Sequence, residues 1–285
     1  EQKVFKIVCA YSEGTITGTG FVICEGKIAT NYHVVRPDLR SKIFCVRIKN
    51  GMTDVHEAHI VWSHKKHDLA VLEVEDLTEE PLQIFQGEVK KLQECIALGF
   101  PGRLDNGFSK NDFFKQLKIN KLKSHLANDL SKDYLTVSAT TGEVIKITPW
   151  MRDTQITNIV HTARVSHGNS GGPLLDQYGR VIAINTQIGV DLEKGTNLVD
   201  GYSSHIKHLV RGIKDSGIEC SLDMSDSVNP QFFSYNLWKS LVAAIIFLVA
   251  FFIYRSYKKN RDTKPSDHNI STEEKENDIK GYKWV

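Results

Sequence analysis

One short stretch of the sequence combines a serine with a high density of glycine. In "HGNSGGP", Gly168 and Gly172 lie two residues on either side of Ser170, which gives the spacing G-x-S-x-G. Such a bend can expose a nucleophile, but glycine and serine also occur together in ordinary turns. The sequence continues as a strand, a turn at 177–180 and a second strand, which is a β-hairpin and not the strand-turn-helix of an α/β-hydrolase. Ser170 is therefore a candidate nucleophile whose partners must come from elsewhere in the chain.

Two upstream residues have the types that a serine nucleophile requires. A hydroxyl is a weak nucleophile until a base removes its proton, and a carboxylate best orients that base. His33 follows an apolar strand in "GKIATNYHVV", and Asp68 precedes another in "HKKHDLAVLEV". The pattern predicts a catalytic triad of His33, Asp68 and Ser170, with Asp54 and Asp76 as neighbouring alternatives to Asp68. Spacing along the chain does not show that the three residues converge.

Other groups of reactive residues carry weaker signals. His64 and His67 form a pair without a nearby third ligand, and the cysteines do not have metal-binding spacing, so we expect no metal and no cofactor. A net charge of +2 with 25% charged residues gives no indication of nucleic-acid binding. Four of the five cysteines lie in apolar, strand-like runs and are predicted to be buried free thiols. They are Cys9, Cys24, Cys45 and Cys95.

The elements that would position the triad are mostly strands. Up to about residue 100, short runs rich in Val, Ile and Phe alternate with Gly, Asn or Asp, which predicts an all-β antiparallel barrel or sandwich. Residues 103–133 are polar and partly helix-periodic, and we interpret them as a surface insertion. Residues 203–215 have the spacing of an amphipathic helix, with serine at its N-cap and Gly217 at its end. These elements predict one domain over residues 1–218.

A strongly apolar segment at 237–254 follows a linker at 219–236. As an α-helix, these 18 residues would extend about 27 Å, close to the thickness of a bilayer's hydrocarbon core. Trp238 and Tyr254 lie near its ends, acidic residues precede it and basic residues follow it. The positive-inside rule then predicts a single-pass transmembrane helix, a disordered cytoplasmic tail at 255–285 and a domain on the periplasmic, lumenal or extracellular side.

Four motifs in a fixed order carry a family resemblance. "GTGFVI…GKIATNYHVV", "HDLAVLEV", "ALGFPG" and "HGNSGGPLLDQYGRVIAINT" resemble the trypsin-fold serine proteases of the HtrA (DegP-like) group. The resemblance covers most of residues 4–215 and implies two antiparallel six-stranded β-barrels, with the active site between them and a C-terminal helix. It also implies that His33 is the general base, Asp68 the orienting carboxylate and Ser170 the nucleophile. The backbone N–H groups of Gly168 and Ser170 would form the oxyanion hole.

Two departures from the group's pattern matter for regulation. Asn169 stands where proteases matured by a new N-terminus use an aspartate as the ion-pair partner, so we do not expect Glu1 to be an activating terminus. No PDZ-like region follows the predicted domain, and the predicted membrane span is C-terminal, whereas the group usually carries its anchor or signal before the protease. Peptide sensing and assembly into homo-oligomers therefore stay open.

The resemblance places the substrate pocket between the residues just before the nucleophile and the following strand. The predicted substrate-binding residues are Val165, Ser166, His167, Ile184, Asn185 and Thr186. None is a carboxylate, which disfavours Arg or Lys at the P1 position of the substrate and favours a small or medium apolar residue. The sequence thus predicts a membrane-anchored serine endopeptidase that acts on protein or peptide substrates through an acyl-enzyme. A catalytically silent or latent peptide-binding or chaperone module and a serine esterase are the alternatives.

Overall fold

The described part of the chain falls into seven ranges. The computed structural model describes residues 2–11, 14–35, 41–102, 132–150, 153–190, 199–225 and 245–255. The chain divides into two compact units, residues 1–233 and residues 234–285. All strands found in the described ranges lie in the first unit.

Six antiparallel strands close the first barrel in the order β1-β2-β3-β6-β5-β4. They are β1 (Val4–Tyr11), β2 (Gly14–Cys24), β3 (Lys27–Thr30), β4 (Lys42–Lys49), β5 (Met52–His64) and β6 (Leu69–Val74). Pairing of β1 with β4 completes the closure. Branched and aromatic side chains such as Phe5, Ile28 and Leu72 fill the interior and are fully buried, which suits their preference for pleated, half-buried surfaces.

The second barrel is also six-stranded. Its strands follow the order β8-β9-β10-β13-β12-β11, and the barrel closes because β11 pairs with both β12 and β8. Two short strands, β7 and β14, add to it by parallel pairing. The bounds are β7 (Ile84–Phe85), β8 (Glu94–Gly99), β9 (Ser138–Trp150), β10 (Asp153–His161), β11 (Pro173–Asp176), β12 (Val181–Val190), β13 (Val199–His205) and β14 (Met224–Ser225). The predicted all-β fold of two six-stranded barrels is confirmed.

Among the described residues of the first unit, helical structure is limited to three short elements. They are helix α1 (Tyr32–Val35), a 3-10 turn (Lys132–Leu135) and helix α2 (Lys207–Ser216). Helix α2 begins later than its sequence pattern indicates, because Ser203 and Ser204 belong to β13 and are buried there. Ile206 occupies the N-cap position without a side-chain cap, so the predicted serine cap is wrong. The predicted end is correct, since Gly217 adopts the left-handed conformation with φ of 69°.

A disulfide joins the first barrel to the segment that follows α2. Cys24 at the end of β2 bonds to Cys220, so the prediction of a free thiol is wrong for Cys24. Local sequence pattern could not reveal the pair, because its two cysteines lie 196 residues apart. Cys9, Cys45 and Cys95 are buried and are not disulfide-bonded, as predicted.

Several predicted segments lie wholly or partly outside the described residues. These are most of the insertion (103–131), much of the linker (226–236), the first part of the apolar segment (237–244) and nearly all of the tail (256–285). Residues 245–255 are helical and exposed. Across the described ranges, no helix combines the length and the apolar character needed to cross a membrane.

Candidate active site

His33 lies on the short helix α1, immediately after the first barrel's strand β3. Its backbone N–H donates to Asp68 Oδ1 at 2.9 Å, and its ring Nδ1 lies 2.6 Å from Asp68 Oδ2. An ionised carboxylate only accepts hydrogen bonds, so Nδ1 carries the proton in this pair. In the neutral imidazole, Nε2 is then the acceptor. The imidazole side chain is 46% exposed, so solvent and substrate can reach it.

Asp68 is held in a turn just before β6. Its N–H donates to the carbonyl of Lys65 at 3.2 Å, and its backbone adopts a left-handed φ of 53°, a conformation that Asp tolerates better than most residues. The alternative carboxylates are placed differently. Asp54 pairs with Arg47 and His56. Asp76 makes no hydrogen bond to His33 within the described ranges. Of the three candidate carboxylates, Asp68 is therefore the one that contacts the histidine.

The turn that carries Ser170 depends on two glycines with positive φ. Gly168 has φ of 97°, and a Cβ there would lie 2.2 Å from the carbonyl oxygen of Phe100. Gly171 has φ of 86°, and a Cβ there would lie 2.1 Å from the carbonyl oxygen of Thr19. The positive φ and the nearby carbonyl oxygens each exclude a side chain at these two positions. The sharp bend that exposes Ser170 therefore requires glycine at both positions.

The serine turn lies against the segment that carries His33. A Cβ on Gly18 would meet both the side chain of Val34, at 2.6 Å, and the carbonyl oxygen of Ser170, at 2.9 Å. The fold therefore brings the serine turn and helix α1 within a few ångströms of each other. Ser170 Oγ donates to the carbonyl of Thr186 at 3.3 Å. In the described structure no hydrogen bond joins it to His33, and such bonds are often long or absent before substrate binds.

Two peptide groups beside Ser170 are fixed by hydrogen bonds to their carbonyls. Gly102 N–H donates to the carbonyl of His167 at 2.6 Å, and Gly172 N–H donates to that of Asn169 at 2.9 Å. In a trans peptide the next N–H points opposite to the carbonyl. The N–H groups of Gly168 and Ser170 therefore point away from these bonds, and neither has a protein partner in the part of the chain that the structure describes. Donors without a protein partner at these two positions are available to a developing oxyanion.

Sequence reasoning missed Thr19, which ties the first barrel to the serine turn. It is fully buried on β2, and its N–H donates to the carbonyl of Ser170 at 2.8 Å. Its hydroxyl donates to the carbonyl of Gly168 at 2.7 Å and accepts from Phe100 N–H at 3.1 Å. The available signal was a polar residue between two glycines at the start of an apolar run, "GTGFVI".

The six predicted substrate-binding residues occupy two segments beside Ser170. On the first, Val165 and Ser166 are partly buried and His167 is exposed. Asn169 Oδ1 accepts from the N–H of Ser166 at 3.3 Å, which closes this turn.

The second segment lies on β12. The side chain of Ile184 is buried in the core, and Asn185 is buried with its amide donating to the carbonyl of Pro173 at 3.3 Å and accepting from Ser203 at 3.0 Å. Thr186 is partly exposed beside Ser170. It is therefore the residue of this segment that substrate can most readily touch.

Two six-stranded barrels with a His–Asp pair beside a glycine-bent serine define the class of trypsin-fold proteins. Residues 18–184, more than half of the chain, match the family model of the trypsin-like peptidase domain. The chain therefore belongs to the trypsin-like peptidase family. The curated proteins that it resembles include proteases of the HtrA/DegP group.

Two curated relatives illustrate the similarity. The chain is 30% identical over 196 residues to "Protease Do-like 5, chloroplastic" of Arabidopsis thaliana, covering 65% of this chain and 51% of that protein. It is 27% identical over 210 residues to "Probable periplasmic serine endoprotease DegP-like" of Rickettsia prowazekii, covering 70% of this chain and 34% of that protein. The chain thus spans about half, or less, of the length of these relatives.

Solved structures share the fold at lower sequence identity. The active form of the Rv3671c protease from M. tuberculosis superposes with a TM-score of 0.56 at 20% identity, covering 80% of this chain and 86% of that one. At this identity the likeness establishes the fold alone.

Proposed function

We propose that this protein is a membrane-anchored serine endopeptidase. The observation that carries the proposal is the 2.6 Å pair of His33 and Asp68, placed against the turn that bears Ser170 and its two free N–H donors. Family membership supports the same reaction class.

The chemistry would follow from the roles that the geometry allows. His33 Nε2 takes the proton of Ser170 as its Oγ attacks a peptide carbonyl, while Asp68 holds the ring and stabilises its positive charge. The N–H groups of Gly168 and Ser170 stabilise the negative oxygen of the tetrahedral intermediate. His33 then gives the proton to the leaving amine, which leaves an acyl-enzyme. Water, activated by the same histidine, releases the acyl group and restores Ser170.

Substrates would be exposed segments of proteins or peptides. A small or medium apolar P1 residue is favoured, because no carboxylate lies among the pocket residues from Val165 to His167 or from Ile184 to Thr186. Self-assembly into a homo-oligomer is part of the proposal, by analogy with relatives of the same group.

A location outside the cytosol fits the disulfide between Cys24 and Cys220, because such bonds persist in oxidising compartments. The apolar sequence at 237–254 would provide the anchor, with the basic tail at 255–285 on the cytoplasmic side. Protease protection of tagged termini in sealed vesicles tests this topology. Digestion of both tags from the same side would exclude a single span.

One feature favours a second candidate function. Ser170 Oγ bonds to the carbonyl of Thr186 rather than to His33, an arrangement suited to a latent or catalytically silent peptide-binding module. A serine esterase would need the same triad, so substrate choice must separate it from a peptidase.

The test is covalent labelling of the full chain with a fluorophosphonate probe, which reacts with activated serines. We expect the wild type to label and both Ser170→Ala and His33→Ala to remain unlabelled. Absence of labelling in the wild type would exclude the enzyme and favour the binding module. Turnover of casein in preference to small esters would then assign the labelled protein as an endopeptidase rather than an esterase.

A further inference from the structure

We propose that Asn31 is a positioning residue that aligns the two halves of the active site through a single amide nitrogen. Asn31 lies between β3 and α1, two residues before His33, and it is fully buried. This inference rests on the proposed serine-protease function and adds a residue that contacts neither the nucleophile nor the base.

The amide nitrogen of Asn31 makes two hydrogen bonds. It donates to the carbonyl oxygen of Asp68 at 2.7 Å and to the hydroxyl of Thr186 at 3.2 Å. Asp68 belongs to the first barrel's side of the site and Thr186 to β12 of the second barrel. One NH₂ group thus spans the boundary between the barrels.

The orientation of this amide is fixed by its partners. A backbone carbonyl can only accept, so the nitrogen and not the oxygen of Asn31 must face Asp68. The hydroxyl of Thr186 gives its own proton to the carbonyl of Ile184 at 3.0 Å, which leaves its lone pairs to accept from Asn31. Both contacts therefore require a donor at Asn31.

Each contact bears on a group that the reaction uses. The bond to the Asp68 carbonyl holds a residue with left-handed φ, whose carboxylate in turn orients His33. The bond to Thr186 holds the residue whose carbonyl contacts Ser170 Oγ. Asn31 thereby sets where the base and the nucleophile stand relative to each other, a distance on which reactivity depends steeply.

The other end of the amide points to the same role. Asn31 Oδ1 is buried and has no hydrogen-bond partner in the described structure. Burying an unpaired acceptor is unfavourable, so packing alone does not explain an amide at this position. The two hydrogen bonds that its nitrogen donates explain why an amide is present here.

The substitution Asn31→Asp tests this role because it keeps the shape of the side chain and removes both donors. Asn158→Asp is the matched control, since Asn158 is also buried but makes no hydrogen bond to the triad in the described structure. Labelling of the full chain by the fluorophosphonate probe is measured as kinact and KI, alongside the melting temperature. For Asn31→Asp we expect kinact to fall about 10- to 100-fold with KI little changed. The folded control should keep the wild-type kinact.

A second variant addresses the case in which Asn31→Asp does not fold. Thr186→Val removes the hydroxyl but keeps the carbonyl that contacts Ser170, and we expect a loss in kinact of several-fold. The double variant Asn31→Ala/Thr186→Val is compared with its two single variants. Its loss in kinact should be smaller than the sum of the two single losses, because both substitutions remove the same hydrogen bond.

The outcomes separate the two proposals. A wild type that does not label overturns the proposed function, and the positioning role with it. A wild type that labels, with wild-type kinact in the Asn31 variants or strictly additive losses, overturns the positioning role alone. If kinact fell as much in Asn158→Asp as in Asn31→Asp, the effect would be one of general destabilisation, and the positioning role would again be overturned.

Discussion

The two barrels hold their shares of the active site by different means. On the first barrel, His33 and Asp68 are placed by hydrogen bonds in which side chains take part, from His33 to the Asp68 carboxylate and from the Asn31 amide to the Asp68 carbonyl. On the second barrel, Ser170 and its N–H donors are placed by the backbone itself, through glycines with positive φ and through pinned carbonyls.

This difference determines how each half can fail. A side-chain hydrogen bond can be removed by an isosteric substitution that leaves the fold unchanged. A glycine turn with no room for a Cβ fails together with its packing, so activity and stability are lost at once. Substitutions in the first barrel's share of the site should therefore lower activity without lowering stability. Substitutions in the glycine turn of the second barrel should lower both.

Asp68→Asn should have the largest effect. The amide keeps the size of the side chain but cannot orient the histidine as the carboxylate does, and loss of this role lowers kcat about 10⁴-fold in serine proteases. Because the amide has the same shape as the carboxylate and the backbone contacts of Asp68 remain, we expect an almost unchanged melting temperature. The rate of probe labelling and thermal melting measure the two quantities. Asp76→Asn is the control, since Asp76 shares the left-handed φ, at 64°. A matching loss in that variant would refute the assignment.

Gly168→Ala should follow, with activity and stability falling together. The new methyl group would lie 2.2 Å from the Phe100 carbonyl, so the turn must move and one oxyanion donor is lost. Loss of such a donor typically lowers kcat about 10²- to 10³-fold. Gly51→Ala is the control. Gly51 also has a positive φ, 78°, but a Cβ added there would meet nothing within 4 Å, so this variant has the backbone strain without the steric clash. If Gly168→Ala labelled normally, a backbone-built oxyanion hole would be excluded.

Removal of the disulfide should lower stability without a comparable loss of labelling. Cys24→Ser/Cys220→Ser deletes a link across 196 residues, and losing a native disulfide typically costs about 2 to 5 kcal/mol. Chemical denaturation measures the change in the free energy of unfolding.

Thiol titration of the wild type is an independent test of the pairing between Cys24 and Cys220. Cys9, Cys45 and Cys95 should react only after unfolding, because burial raises the pKa of the Cys45 thiol and raises that of Cys95 to about 12. A fourth reactive thiol in the unfolded, unreduced wild type would contradict the pairing.

Acid should weaken the second barrel before the first. Burial disfavours a charged imidazole and lowers the pKa of His161, on β10, to about 4. Since the unfolded value is about 6.5, the stabilisation is complete above pH 6.5 and is lost as the pH falls to about 4, by about 3 kcal/mol. In the first barrel, burial alone would raise the pKa of Asp54, but hydrogen bonds from His56 and Arg47 outweigh it and lower the value to about 2. Its contribution is lost only between about pH 4 and pH 2.

Melting curves recorded from pH 7 to pH 3 test this order, with His161→Gln compared with the wild type. The variant should lose less stability between pH 6.5 and pH 4. Parallel curves for the two proteins would show that His161 carries no such dependence.

Local sequence pattern predicts most of the fold and the reactive residues. Alternation of apolar residues identifies the strands, and glycine spacing identifies both the serine turn and the end of α2 at Gly217. These features depend on neighbours in the chain, so they can be read from it. The same holds for the hairpin formed by β11 and β12.

The features that escaped prediction depend on distant partners. Thr19 contacts Gly168, 149 residues away, and Asn31 contacts Thr186, 155 residues away. The serines before α2 have the residue type of an N-cap, but pairing with β12 and β10 places them in β13. In each case tertiary contacts decide the outcome, and no local propensity encodes them.

The link between Cys24 and Cys220 also constrains the order of events during synthesis. The cysteine at the end of β2 leaves the ribosome long before its partner, and the intervening 196 residues take about 10 to 40 s to translate at usual rates. During that time the thiol of Cys24 is exposed to pairing with Cys9, on the adjacent strand β1, or with Cys45, on β4 of the same barrel. Early folding of that barrel buries the thiols of Cys9 and Cys45 and would prevent these incorrect disulfides. Cys24 can then pair with Cys220 once the segment after helix α2 has been synthesised.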